Sequence, residues 1–313
     1  MAITVTKLKN HADWLKEREG GIGSSEIATI VGLNPFETPY QLWRRKIGLD
    51  EPIKPTFAMK AGNYLEDAVS LFWQDETGNE VIKSSAELMI ISNDIKPFTK
   101  ISPDRTFWLK GQKKNNENKG ILECKTTQMP IDENDLPKHW FIQLQYQLGV
   151  AEMNFGSLAW LTQGREFGYK ELKFVPDFFD WLIEEADKFW TDNIVGKKEP
   201  NISTVQDVLL KYNKHTAGKT IEVDNDIFET YLELKDVRAQ LSEIEDKKTK
   251  LEDKIKLCFG DAEAISFEGQ TLATWKASKD SERFDSKAFQ TAHPDLAKEF
   301  TTIVAGSRRF LVK

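Results

Sequence analysis

The chain has 313 residues, more than one small domain needs and enough for a medium domain with an appendage. Hydrophobic residues make up 40 %, with nine Trp and nineteen Phe, which argues against disorder; charged residues make up 30 % and the net charge of −7 does not by itself announce a nucleic-acid binder, although one positive surface would suffice. Two distant cysteines, Cys124 and Cys258, exclude a disulfide framework or zinc pattern; with no signal-peptide core and no membrane-length apolar run, a cytoplasmic protein is expected.

Residues 11–50 read as helix, turn, helix. Trp14, Leu15 and Arg18 lead into Gly20-Gly21-Ile22-Gly23, and Ser24 or Ser25 is expected to cap a helix over 26–31 that Gly32 ends. Thr38-Pro39 supplies N-cap and first position of the next helix. From 57 to 77, Phe57, Ala61, Leu65, Ala68, Val69, Phe72 and Trp73 share one helical face, with Gly78 as the stop. Strands are expected over 81–84, 87–92, 99–104, 106–109 and 120–125, with the polar stretch 111–120 as an exposed loop. A helix over 136–151, strands near 157–162 and 168–174, and a helix over 177–194 complete an α/β (α+β) domain in which helices flank a mixed sheet.

The composition changes at Gly196-Lys197-Lys198-Glu199-Pro200, which divides the chain into 1–198 and a C-terminal extension, 199–313. There a coiled-coil-like helix over about 226–259 places Leu234, Val237, Leu241, Ile244, Leu251, Ile255 and Cys258 at alternating spacings of three and four, interrupted by Lys248. A small hairpin around Glu268-Gly269 and a basic-apolar end, Arg308 to Lys313, follow. The heptad stripe can pack on the body, pair with a sister chain or bind a protein partner; packing within the chain is the expectation.

Phosphodiester hydrolysis needs an activated water, an offset for transition-state charge and a stabilised leaving oxygen, which carboxylate-held divalent ions and a lysine can supply. Ser102-Pro103-Asp104 ends one expected strand, and Glu123-Cys124-Lys125 follows on another, 19 residues from Asp104 to Glu123. Period-two alternation puts Glu123 and Lys125 on one sheet face and turns Cys124 away, its carbonyl still available as a hard ligand. A Glu-x-Lys pair on a solvated edge strand would look the same. Glu66 follows Leu65 at the edge of the helical apolar face and either points at the sheet or is solvated. Gln143, Gln145, Tyr146 and Gln147 lie on the next helix, where Gln143 and Tyr146, three apart, share a side. Arg18 with Gly23-Ser24-Ser25 combines a guanidinium, hydroxyls and a helix start, as an anion site does or as ordinary capping does. The four histidines show no metal or triad spacing and read as structural.

Six segments in order resemble the YqaJ-like viral recombinase family, relatives of the phage lambda exonuclease within the PD-(D/E)XK nucleases. They are Trp14 with Arg18 to Glu26, Gly32 to Phe36 with Thr38 to Trp43, Ala61 to Glu66, Ser102 to Asp104, Glu123 to Lys125, and Gln143 to Tyr146, within about residues 10–195. The resemblance implies a mixed sheet flanked by helices and a metal-dependent exonuclease, 5′→3′ on linear double-stranded DNA. It implies Mg²⁺, or Mn²⁺ in its place, two per site, held by Asp104, Glu123 and the Cys124 carbonyl, with Glu66 supporting the second. Lys125 would activate or position water, and Gln143 with Tyr146 would complete the site. Arg18, Ser25 and Ser102 would hold a 5′-phosphate. The implied partners are double-stranded DNA ends, a single-strand annealing protein and further copies of the chain, as in a ring trimer, in a phage or prophage setting with no membrane. A structure- or nick-specific endonuclease with the same site, or a DNA-binding scaffold without catalysis, are the competing readings.

Overall fold

The computed structural model describes residues 3–51, 54–82, 88–304 and 306–312, which fall into two units, Met1–Lys211 and Tyr212–Lys313.

The first unit opens with β1 (Ile3–Leu8), α1 (His11–Glu19), β2 (Ile22–Gly23), α2 (Ser24–Ile30) and α3 (Pro39–Lys46). Helix α2 starts earlier than expected. Gly23 is its N-cap and the Glu26 carboxylate accepts from the Gly23 N–H at 2.8 Å, so Ser24 and Ser25 lie in the first turn instead of capping it. Thr38 does cap α3, accepting from the Gln41 N–H at 3.2 Å, with Pro39 at the first position.

Helix α4 (Phe57–Thr77) ends at Gly78, whose φ of 66° only glycine adopts without strain. Its buried face is rotated from the expected one. Val69, Ser70 and Trp73 are buried and Gly62 and Glu66 half-buried, whereas Phe57, Leu65 and Phe72 are exposed. The apolar residues spread around too much of the helix for hydrophobicity to select the phase; Trp73 selects it, packing at a tilt against Phe107 and donating from Nε1 to Ser157 Oγ at 2.9 Å.

Next come β3 (Glu80–Ile82), β4 (Leu88–Asn93), β5 (Thr99–Lys100), β6 (Arg105–Trp108) and β7 (Lys119–Thr127), then α5 (Lys138–Val150), β8 (Phe155–Thr162), β9 (Glu166–Lys173) and α6 (Pro176–Lys188). The expected strands over 81–84 and 87–92 run partly outside the described residues. The expected strand over 99–104 is only two residues long, with Ile101 bridging Ile91; Pro103, lacking an N–H, precedes Asp104 in the link to β6. The main sheet has the order β3-β6-β7-β8-β9, antiparallel except for the central parallel pair β7–β8. α4 packs over Phe107, Leu122, Cys124, Ala159 and Leu161; on the opposite face Ile121, Leu158 and Trp160 join the larger core with α2, α5 and α6. It is a mixed α/β fold with helices on both faces of the sheet.

A π-helical turn, Phe189–Val195, extends α6, and α7 (Val205–Lys211) closes the unit beyond the expected boundary at 198. Asp207 fastens α7 by accepting from Thr38 Oγ1 at 2.8 Å.

The second unit contains α8 (Asn225–Lys256), the hairpin β10 (Ala264–Phe267) and β11 (Gln270–Thr274), and two short helices, α9 (Ser286–Ala292) and α10 (Pro294–Glu299). Within its own unit α8 has no buried residue.

Candidate active site

Strand β7 carries the centre. Leu122 and Cys124 point under α4, so Glu123 and Lys125 stand on the other face, against α5. Glu123 is 2 % exposed. Its Oε1 accepts from Lys125 Nζ at 2.7 Å and from Gln143 Nε2, and its Oε2 accepts from Gln147 Nε2 at 2.9 Å. Lys125 Nζ also donates to Gln143 Oε1 at 2.9 Å. Arg105 pairs with Leu122 across β6 and β7, which brings the preceding Asp104 alongside Glu123. The Cys124 N–H donates to Asp104 Oδ2 at 2.8 Å. Glu66 reaches the same end of the sheet from α4, 3.8 Å from Arg105, which also pairs with Asp67 at 2.7 Å.

The charges explain one another. Burial raises the Asp104 carboxyl well above the usual range, and Glu123 and Glu66 raise it further. Glu66 is raised by burial, only partly offset by Arg105. Burial alone would lower Lys125, but Glu123 and Asp104 outweigh it and hold the ammonium above its ordinary pKa. Burial lifts the Cys124 thiol as well, so it is an inert packing group. His139, read as structural from sequence, is half-buried and close enough to Lys125 that, after burial, the lysine's charge lowers its pKa.

The donor chemistry fits a hard divalent cation: two carboxylates side by side, a main-chain carbonyl and a third carboxylate nearby, all oxygen. Their mutual repulsion is what such a cation would relieve. Among the described residues no three His, Cys, Asp or Glu side chains already form a coordinating cluster, since Glu123 is turned onto Lys125 and two glutamines and Glu66 faces Arg105.

A second group adjoins this one. Arg18 donates to Ser25 Oγ at 2.7 Å and lies over the Trp14 ring. A Cβ on Gly23 would come 3.1 Å from Arg18 Nε, so glycine leaves the guanidinium its space. Gln147 Nε2, already bonded to Glu123, also lies 3.2 Å from Ser24 Oγ. One buried amide therefore links the carboxylate centre to the serines beside Arg18. Below them Glu26 is buried with Lys46 (2.8 Å) and Arg45 (3.2 Å).

Asp104, Glu123, Lys125 and Gln143 thus converge, Glu66 flanks them, and Arg18 meets Ser25. Two expected neighbours stand apart. Tyr146 is buried in the core, its hydroxyl 3.5 Å from the Ile22 carbonyl, and Gln147 occupies the place beside Glu123. Ser102 has no side-chain hydrogen bond to Arg18 or Ser25 among the described residues. Sequence reasoning missed Gln147 as a partner of Glu123, and Glu26 and Lys46 altogether. The spacing of four from Gln143 to Gln147 was the available signal for the first.

A family model for the YqaJ-like viral recombinase domain matches residues 13–154. "Uncharacterized protein YqaJ" of Bacillus subtilis (strain 168) is 30 % identical over 299 residues, covering 91 % of this chain and 88 % of that one. Among solved structures, an alkaline exonuclease (LHK-Exo) from Laribacter hongkongensis matches with 14 % identity and a TM-score of 0.46, over 64 % of this chain and 97 % of that one. A phage related exonuclease from Haemophilus somnus 129PT matches with 11 % identity and a TM-score of 0.41, over 57 % and 96 %. With the relative in Bacillus matched along most of both chains, this chain belongs to the YqaJ-like viral recombinase family.

Proposed function

We propose that the chain is a divalent-metal-dependent deoxyribonuclease that digests linear double-stranded DNA from its 5′ end, leaving 3′ overhangs for a single-strand annealing partner. The observation that supports this reading is the Glu123–Gln147–Ser24 link, which connects the carboxylates to the helix turn whose next residue, Ser25, accepts from Arg18.

Mg²⁺ or Mn²⁺, held by Asp104, Glu123 and the Cys124 carbonyl with Glu66 in support, would supply Lewis acidity and a more acidic bound water. Lys125 holds a positive charge at the carboxylates, where it orients the attacking water and offsets charge building on the phosphate oxygens. Gln143 and Gln147 fix the Glu123 carboxylate from two sides. Water adds to phosphorus, the P–O3′ bond breaks, and the released 5′-mononucleotide leaves a new 5′-phosphate for Arg18 and Ser25.

Linear duplex with a 5′-phosphate is expected to be degraded when Mg²⁺ is present and spared in EDTA, with 5′-hydroxyl duplex slower and covalently closed circles intact. Cutting of the circles would establish an endonuclease instead, and intact linear DNA under every condition would leave a scaffold. In the same assay Gln147→Leu is expected to lose about 10–100-fold, the usual cost of removing a group that orients a ligand. Tyr146→Phe should digest DNA at the wild-type rate, since among the described residues its hydroxyl makes one long hydrogen bond, in the core. Equal impairment of both variants would return Tyr146 to the site.

A further inference from the structure

Within its own unit helix α8 presents an apolar stripe that the other described residues of that unit leave largely uncovered, Leu234 being half-buried. Val237, Leu241, Ile244, Leu251 and Ile255 are 47–63 % exposed. They recur at heptad spacing, which puts Leu241, Lys248 and Ile255 in the a row and Val237, Ile244 and Leu251 in the d row. A 32-residue helix with no buried residue draws little stability from propensity alone, because tertiary packing of one face is what holds most protein helices. Its natural cover is another helix of the same period.

Charge identifies that helix. Over residues 225–236, Asp226, Glu229, Glu233 and Asp236 stand against Lys235 alone. Over residues 247–256, five lysines stand against Glu252 and Asp253. Two copies laid parallel and in register would set acidic end on acidic end, basic on basic, and Lys248 on Lys248 within the seam. Laid antiparallel, each acidic end meets a basic one.

We propose that α8 pairs with α8 of a second copy of this chain as an antiparallel coiled coil centred between Leu241 and Ile244. In that register Leu241 of one copy meets Ile244 of the other, and Leu234 meets Leu251. Lys248 crosses Val237, laying its stem on the seam and its ammonium at the rim. Glu233 falls beside Lys254 and Arg238 beside Glu245, so the flanks pair opposite charges. Because the proposal rests on the heptad and its charges, the nuclease reading can fail without affecting it.

Sedimentation equilibrium of the full chain at micromolar concentration tests it. Leu241→Lys/Ile244→Lys brings four ammonium groups together at the centre, and the wild-type mass is expected to fall twofold. A wild type of monomer mass, or a double variant of unchanged mass, would overturn the pairing. Orientation is read by disulfide trapping in a Cys258→Ser background, Cys124 being buried. Val237→Cys and Lys248→Cys proteins, equilibrated together and oxidised, are expected to cross-link to each other and not to themselves. Self-linked products from either variant alone would establish the parallel arrangement and overturn the proposal. An unchanged urea midpoint by tryptophan fluorescence, eight of the nine tryptophans lying in the first unit, would show that the mass change of the lysine variant is not unfolding of that unit.

Discussion

Replacing Lys125 by methionine is expected to lower Mg²⁺-dependent nucleotide release by about 10²–10⁴-fold, the range for losing a positioned proton-transfer or charge-offsetting group. The Lys125 side chain is 20 % exposed and its ammonium lies between Glu123 Oε1 and Gln143 Oε1, so no solvated cation can take its place in the same geometry. Methionine keeps most of the stem packing. Leaving Glu123 without its ammonium also costs stability, so rates belong at a temperature where circular dichroism shows the variant folded, under single-turnover conditions that separate chemistry from product release. A folded variant that digests DNA as fast as the wild type would remove Lys125 from the reaction. Asp104→Asn gives a second readout, independent of turnover. Because burial and two neighbouring carboxylates hold the Asp104 carboxyl well up, its charge is a burden in the metal-free protein. Asparagine can still accept from the Cys124 N–H, so the variant is expected to melt above the wild type in EDTA. Mg²⁺ at a hundredfold excess over its Kd would stabilise the wild type by about 2.7 kcal/mol and leave the variant nearly unmoved. Equal stabilisation of both would place the ion elsewhere.

Glu26→Gln is expected to destabilise the first unit by about 3–5 kcal/mol, the cost of stranding a buried charge. Glu26 and Lys46 side chains are 8 % and 5 % exposed, and the carboxylate also accepts from Arg45 and from the Gly23 N–H. Burial would raise the Glu26 carboxyl, but Lys46, followed by Arg45, more than reverses this and lowers it below its ordinary value of about 4.5. A lowered folded pKa means that the carboxylate's stabilisation is present above the unfolded value and fades as pH falls through the folded one. The gap between wild type and variant should therefore be widest near neutrality and narrow below about pH 4.5. Glu26→Gln/Lys46→Met, which removes both charges, should recover part of the loss. Urea midpoints across that pH range measure all of this. A variant within about 0.5 kcal/mol of wild type, as at an uncoupled surface site, would show that the cluster contributes nothing to stability. Because Glu26 also caps the turn that holds Ser24 and Ser25, the variant is expected to weaken the Arg18–Ser25 contact as well.

The centre on β7 was legible because strand geometry is a local rule. Alternation with period two sets Glu123 and Lys125 on one face wherever the strand goes, and adjacent antiparallel strands bring Asp104 to it without long-range information. Helix phase was not legible in the same way. On α5 every residue from Leu144 to Val150 is buried, so no polar side marks which glutamine faces the sheet, and Gln147 rather than Tyr146 does. On α4 apolar residues wrap far enough round that the face carrying Glu66 was set by how Trp73 fits Phe107 and Ser157.

Local composition and period therefore determined by themselves the order of the main helices and sheet strands, the mixed sheet between helices, the shared face of Glu123 and Lys125 and the heptads of α8, but not β1, β2, α7, α9 or α10, because only the former follow from sustained periodicities of two, 3.6 or 3.5 residues. Tertiary structure alone decided the rotation of α4 and α5 about their axes, the burial of Glu26 with Lys46 and Arg45, and the amide of Gln147 that joins Glu123 to Ser24. Those contacts link residues about 20 to 120 positions apart whose partners are chosen by packing and by the cost of leaving a buried polar group unpaired.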